Sequence, residues 1–391
     1  MTEWKKIKIS EIGRVVTGKT PKTAEKDYYG GDIPFLTPSD DMDVKYVEKT
    51  RRKLTQKGMY SVKGAIIPSA SICVSCIGSD LGKVVITTNE TVTNQQINSI
   101  IVDTERFDVD FVYYAMVILG EKLNFHSKTS TAVPIINKST FLNYEICCPH
   151  INEQRKIGKL LSIFDDKMAI NTKINENLLQ QAHSIFFQEF LSFDNLPNGW
   201  QKSSLLGIAN YLNGLAMQKY RPTNDEQGIP VLKIRELRQG SCDSGSELCS
   251  SSIKSEYIIH DGDVIFSWSG SLLVDFWCGG TCGLNQHLFK VTSSTYDMWF
   301  CYAWTNHHLQ KFVAMAADMA TTMGHIKREE LAKAMVLVPP QADYSRIGDL
   351  LAPLYNLVIA NRIENRKLSA LRDELLPQLM SGQLDVSGVL L

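Results

Sequence analysis

The sequence predicts an α+β chain: two similar mixed α+β domains joined by two long antiparallel helices that form a coiled coil, with a pseudo-two-fold arising from internal duplication. Three observations predict it. The first is a repeat. Trp4 recurs as Trp200, 196 residues on, and the same offset carries Ile12 onto Ile208, Gly18 onto Gly214 and Ile33-Pro34-Phe35-Leu36 onto Ile229-Pro230-Val231-Leu232. The offset drops to 191 at Asn94-Gln95 and Asn285-Gln286, then settles at 190, where Ile136 matches Ile326, Pro149 matches Pro339 and Ile157-Gly158 matches Ile347-Gly348. Constant offsets separated by small jumps are what duplicated elements with loops of unequal length leave behind. The second is a change of texture within each half, from a section rich in Gly, Pro, Ser, Thr and β-branched residues to one with sustained helical periodicity. The third is a composition of 44% hydrophobic and 21% charged residues over 391 positions, which allows a separate core for each half.

The predicted boundaries are a first domain over 1–149, a central helix over 150–193, a second domain over 194–340, a distal helix over 341–382 and a tail over 383–391. In the first domain Trp4–Val16, Gly64–Pro68, Lys83–Thr88 and Ile97–Val102 read as short strands between turns, and Asp108–Lys122 as a helix. In the second, strands are expected around Gln201–Tyr211, Asp263–Ser267 and His287–Val291, and a helix over Tyr296–Met315.

The long helices carry the clearest signal. Apolar positions run Ile157, Leu160, Leu161, Phe164, Met168, Leu178, Ile185 and Phe186 in one, and Ile347, Leu350, Leu351, Leu354, Val358, Leu368, Leu371 and Leu375 in the other. This is a coiled-coil length of helical pattern. Asn152 and Glu153 suit the first helix's start, Gly382 suits the second's end, and Pro353 is expected to bend the second or delay its onset. Asn171 and Asn175 interrupt one stripe where Asn361 and Asn365 interrupt the other. If the helices pack antiparallel these four meet, and buried asparagines fix register at some cost in stability.

Several chemistries are excluded. Gly13-Arg14-Val15-Val16-Thr17-Gly18-Lys19-Thr20 spells a phosphate loop, but Pro21 follows at once, no apolar helical face comes after it, and the duplicate keeps only Gly214. No other catalytic signature is present, neither an amino-methyltransferase motif nor a zinc-protease or hydrolase one, so no catalytic or metal residue is assigned. Asp40, Asp41, Asp43 and Lys45 imitate a nuclease cluster but have no counterpart in the second half. Nine cysteines without a regular framework, Cys73, Cys76, Cys278 and Cys282 among them, read as reduced structural thiols. With no signal-peptide core and no apolar run of membrane-spanning length, the expected location is cytoplasmic, with no membrane partner. A net charge of −1 means that any hold on nucleic acid depends on local basic groups or on a partner.

What the chain does offer is matched polar loops. Lys19, Lys22 and Lys26 follow the first strand, and Lys219 and Arg221 follow its duplicate. Thr37 and Ser39 follow one Ile-Pro-x-Leu segment, and Lys233 and Arg235 the other. Asn94, Gln95 and Gln96 correspond to Asn285, Gln286 and His287. Thr129, Ser130, Thr131 and Lys138 correspond to Thr321, Thr322, Lys327 and Arg328. These are residue types that read base edges and phosphates, and they differ between halves whose scaffold agrees. The run Lys49, Arg51, Arg52, Lys53 and Lys57 is read as a solvated face.

At this point the chain resembles the DNA-specificity subunit of type I restriction-modification systems, over essentially its whole length. The resemblance rests on the Trp-led strand, the Gly18-x-Thr20-Pro21 turn, the Ile-Pro-x-Leu segment, and the helix entry Asn152-Glu153-Gln154-Arg155-Lys156-Ile157. It rests also on the ending of the distal helix, Leu371–Gly382. The second half departs at Gln341-Ala342-Asp343-Tyr344-Ser345-Arg346, which lacks the Glu-Gln core, and at Gly324-His325. The resemblance implies two target-recognition domains that read a bipartite site in double-stranded DNA, with the helices setting the unread spacer. It implies no cofactor in this chain. Its partners would be two copies of a methyltransferase subunit carrying S-adenosylmethionine and, where the system also restricts, motor-nuclease subunits using ATP and Mg²⁺. The residues alone leave two other readings: a specificity subunit of another restriction class, and a non-enzymatic coiled-coil scaffold with protein-binding ends.

Overall fold

A computed structural model describes residues 4–128, 135–318 and 326–389; of 126–128 and 318 it describes the backbone alone. The chain divides into two compact units, residues 1–166 with 369–391 and residues 167–368. Each unit thus owns one globular domain, the nearer part of one long helix and the far part of the other.

In the first unit Lys5–Lys8 pairs antiparallel with Glu145–Cys148, closing the start of the domain against its end. A single helical turn, Ile9–Ile12, interrupts what the sequence suggested was one strand, because Ile9 and Ile12 both turn into the core. Gly13–Thr17 then enters a five-stranded sheet in the order 13–17, 97–102, 72–75, 84–87, 46–47. A second sheet runs 52–54, 29–36, 91–93, 66–67. The helix Val109–Lys128 covers the first sheet and buries Phe111, Val112 and Met116. Each such side chain contributes roughly 1.5–3 kcal/mol by leaving water.

The second unit repeats this order. Gln201–Ser204 pairs with Met335–Val338, a helical turn covers Leu205–Ile208, and one sheet runs 210–213, 288–292, 264–267, 273–276. The other runs 248–249, 229–232, 282–284, 258–259, and the helix Met298–Asp318 takes the place of Val109–Lys128. One element is new. After Ile229–Leu232 the second unit inserts a short helix, Ile234–Gln239, where the first has only a turn.

The central helix runs Ile151–Phe186, 36 residues, and widens into a π-helical turn over Phe187–Leu191. The distal helix runs Gln341–Met380, 40 residues. They are antiparallel: in the first unit Asp165 meets Arg372, and in the second Asn171 meets Asn365, Asn175 meets Asn361 and Glu189 meets Arg346. Pro353 does not delay the onset of the distal helix, which starts twelve residues before it at Gln341. It lies on the exposed side, where the carbonyl it leaves unbonded can be hydrated, while buried Ile347, Leu351, Tyr355 and Val358 hold the other side down. Gly382, at φ 73°, ends this helix against Trp4. The tail then packs on the first unit, with Val386 buried and Lys156 donating to the carbonyls of Val386 (3.2 Å) and Ser387 (2.7 Å).

Gln154 explains the helix-entry motif. Buried, it accepts from the backbone N–H of Asp108 (3.0 Å) and donates to the carbonyl of Pro149 (3.0 Å), tying helix entry to the start of the covering helix. In the second half Tyr344 does the same work. Its hydroxyl accepts from the backbone N–H of Asp297 (2.8 Å) and donates to that residue's carboxylate (3.0 Å). The motif is lost there, but the tie is kept. Among the described residues no helix is long and apolar enough to cross a membrane.

Candidate nucleic-acid interface

Backbone hydrogen bonds gather the loops of each domain at one end. In the first, Gly18 N–H donates to Ile97 O (3.1 Å), Lys19 to Thr93 O (2.8 Å) and Asn94 to Leu36 O (3.1 Å). Cys76 donates to Gln96 O (2.8 Å) and Ile136 to Cys76 O (2.9 Å). Five loops, around 18–20, 37–40, 76–79, 94–97 and 135–138, therefore share one surface. The second domain builds the same surface. Gly214 donates to Leu288 O (3.1 Å), Leu215 to Leu284 O (2.9 Å), Asn285 to Leu232 O (3.2 Å) and Ile326 to Trp268 O (3.0 Å).

Two glycines make this packing possible. A Cβ on Gly18 would lie 2.1 Å from the carbonyl oxygen of Asn94, and one on Gly214 would lie 2.3 Å from that of Asn285. Gly18 therefore serves close backbone approach and not phosphate binding. Gly13–Thr17 is a sheet strand, and its N-terminal glycine sits against Val102.

The two asparagines are likewise loop builders. Asn94 is buried, its Oδ1 accepting from Gln96 N–H (3.1 Å) and its Nδ2 donating to Gln96 Oε1 (2.9 Å). Asn285 is buried and its Oδ1 accepts from His287 N–H (3.3 Å). Thr37 is buried too, donating from backbone and hydroxyl to Asp40 Oδ2 at 2.8 and 2.9 Å. The side chains turned outward belong to their neighbours. Gln95 is exposed and accepts from Thr20 (2.7 Å), Ser39 is exposed, and Gln96, Gln286 and His287 are half-buried. Lys19, Lys22, Lys138, Lys327 and Arg328 are exposed, the last three at the starts of the short helices Lys138–Asn143 and Arg328–Lys333. Thr129, Ser130, Thr131, Thr321 and Thr322 lie outside the described residues.

The two ends differ in charge. Lys19 and Lys22 have no side-chain ion pair among the described residues, whereas Arg221 and Lys233 both bind Glu247, the first at 2.8 Å. Lys233 and then Arg221 hold the Glu247 carboxyl below the usual carboxylate range. Arg235 is clamped between buried Glu236 (2.7 Å) and Asp243 (3.0 Å).

Sequence reasoning passed over the loop that follows the strand Val264–Ser267. Trp268 Nε1 donates to Asn213 Oδ1 (3.0 Å), its ring centroid lies 6.3 Å from that of His287, and Ser269 Oγ lies 3.1 Å from His287 Nδ1. Its first-half counterpart is Cys76-Ile77, so residue identity gave no signal; Gly270, at φ 64°, was the only local cue to a turn.

The other clusters are structural. Asp43 pairs with Lys83 (3.0 Å), and Lys45 is buried against Asp110 (2.7 Å) and Ser162 (2.6 Å), so no nuclease-like group forms. All nine cysteines are free, and burial pushes the Cys73 thiol up to about 12. Among the described residues no group of His, Cys, Asp and Glu could hold a metal ion. In the basic run, Lys57 pairs with Asp27 (3.4 Å) and the Arg52 guanidinium lies 5.0 Å from the Phe35 ring centre.

In the helices the four asparagines form one cluster. Asn361 Nδ2 donates to Asn175 Oδ1 (2.8 Å), and Asn171 Nδ2 donates to Asn365 Oδ1 (2.8 Å) and Glu364 Oε2 (2.6 Å). Asn365 donates in turn to the carbonyl of Met168 (3.2 Å).

Comparison with known proteins returns one family throughout. The chain is 28% identical over 412 aligned residues to the type I restriction enzyme MjaIX specificity subunit of Methanocaldococcus jannaschii, covering 98% of this chain and 94% of that one. It is 35% identical to the HindI specificity subunit of Haemophilus influenzae, over 37% of this chain and 32% of the relative. The crystal structure of a type I restriction-modification S subunit from M. genitalium shares the fold at a TM-score of 0.60 and 16% identity, covering 97% of this chain and 96% of that one. The family described as type I restriction modification DNA specificity domain matches residues 1–180 and again 197–371, so the chain belongs to that family.

Proposed function

We propose that this chain is the DNA-reading, non-catalytic subunit of a type I restriction-modification system. Each globular domain reads one part of a split site. The single observation that carries the reading is the matched pair of loop surfaces: one scaffold, built twice with the same glycine and asparagine, presents different side chains in each half. Direct readout needs this arrangement, a rigid frame that positions and variable side chains that specify. The candidate contacts are Lys19, Lys22, Ser39, Gln95, Gln96 and Lys138 in the first domain, and Lys219, Gln286, His287, Lys327 and Arg328 in the second, with Arg221 and Lys233 available on exchange of their shared carboxylate partner, Glu247.

The helices set the unread spacer. Two domains on one face of a duplex read sites about one helical turn, ~34 Å, apart, and a 36-residue helix is about 54 Å long. The chain directs two methyltransferase subunits, which carry S-adenosylmethionine and receive flipped adenines in their own pockets. Motor-nuclease subunits join where the system restricts. Partners that clamp the duplex also account for a specificity subunit with a net charge of −1.

The reading is tested by expressing the chain with its methyltransferase subunit and mapping adenine methylation across the host genome. A split motif with a fixed spacer, absent when the chain is omitted, is the expected result. Methylation that is the same without the chain, or a complex that forms and methylates nothing, refutes it.

A further inference from the structure

The two domains diverge at the end of the Ile-Pro-x-Leu strand, and the divergence has a chemical consequence. In the first domain the chain closes at once into a turn: Asp40 accepts from both groups of Thr37 and from the backbone N–H of Arg51 (2.7 Å). Only Ser39 is left exposed at its tip. In the second domain the same point launches the helix Ile234–Gln239, ended by Gly240 at φ 76°.

This helix is fixed from behind. Leu237 is buried with Leu232, Cys282, Leu284 and Leu288, and the buried Glu236 carboxylate accepts from Lys233 N–H (3.3 Å), Arg235 and Ser246 (3.1 Å). It also belongs to the loop surface. Asn285, of the Asn-Gln-His loop, donates to Leu232 just before the helix, and Ile234 Cδ1 lies 3.7 Å from where a Cβ on Gly270 would sit. Arg235, Arg238 and Gln239, spaced three and four apart, share the outer face and are all exposed.

The three differ in what they are free to do. Arg235 gives bonds to Glu236, Asp243 and Ser246, so its fork is occupied. Gln239 makes one long contact with Asp243 (3.4 Å), and its side-chain carbonyl has no partner among the described residues. Arg238 has no side-chain partner among the described residues. An unpaired guanidinium on a braced helical turn, beside the loops that read DNA, suits the bidentate recognition of guanine O6 and N7.

Resting on the reading of this chain as a specificity subunit, we propose that the inserted helix is the reading element of the second domain and that Arg238 is its guanine-specifying residue. Gln239 contacts the adjoining base pair. Arg235 positions the helix and does not read.

The test is selection from a random duplex library by the complex of the full chain with its methyltransferase subunit. Wild type, Arg238→Ala, Arg238→Lys and Gln239→Ala are compared at one salt concentration. Arg238→Ala should relax a single G·C position in one half-site by roughly 5- to 150-fold, the discrimination of a good bidentate pair. The other half-site and the spacer should be unchanged. Arg238→Lys should not restore the position, because a point charge lacks the fork, and Gln239→Ala should relax a neighbouring one.

An unchanged motif with uniformly weaker binding, rescued by lysine, makes Arg238 a phosphate contact and overturns the proposal. So does an unchanged motif at unchanged affinity. A wild-type complex that selects no split motif refutes instead the functional reading beneath it.

Discussion

Single residues show how a duplicated frame is kept while its surface diverges. Gly18 and Gly214 stand where any side chain meets a backbone carbonyl, so Gly18→Ala or Gly214→Ala should cost about 1–3 kcal/mol through overpacking, read from urea denaturation of the full chain. A loss below the error of the method would mean that the loops are not tied as described. The pair of buried Asp165 with half-buried Arg372 makes a second test. Asp165, its side chain 6% exposed, accepts from Arg372 and from the Tyr114 hydroxyl, and burial and this carboxylate push the phenol well up. Asp165→Ala removes the acceptor of the buried Tyr114 hydroxyl and one of the two carboxylate partners of Arg372, and should destabilise the first unit by about 1–3 kcal/mol, read from urea denaturation. His308 gives a pH dependence. Burial lowers its pKa in the folded state, with Nε2 donating to Met335 O (2.8 Å), while the unfolded chain takes up its proton near pH 6.5. Its contribution is therefore complete above about pH 6.5 and is lost as pH falls below that, and His308→Gln should flatten this part of a melting-temperature profile.

At the scale of elements, legibility in the sequence followed the number of residues that carry each signal. The long helices are plain in the sequence because many apolar positions agree, and the four asparagines align because both helices interrupt their stripes at the same offset. Pro353 does not delay the distal helix because the burial of Leu351 and Tyr355 on either side of it outweighs one missing hydrogen bond. Gln154 and Tyr344 show another limit: unlike residues anchor the same junction, so the second junction was invisible to a search for the motif. In the loops, identity between halves marked construction, as with Asn94 and Asn285. The most informative departure, Ile234–Gln239 in place of the Thr37–Asp40 turn, is too short for periodicity to reveal. The asparagine cluster is proposed to fix register. Asn175→Leu with Asn361→Leu removes the buried amide pair and should raise stability while permitting slipped alignments, detected as a spread of spacer lengths in the selected DNA. Reduced stability with one sharp spacer would contradict a register role.

For the whole molecule, duplication ties the parts into one function. On the proposed function, two loop surfaces built on one plan are two readers, and the length of the helices is a property of the target as much as of the protein. The most direct measurement is therefore a matched insertion of seven residues into the central and distal helices, followed by mapping of methylated sites with the same methyltransferase subunit. Each helix gains about 10 Å, or about three base pairs at 3.4 Å each. The account predicts the same two half-sites with a spacer about three base pairs longer. An unaltered spacer, or half-sites that change with helix length, would contradict it.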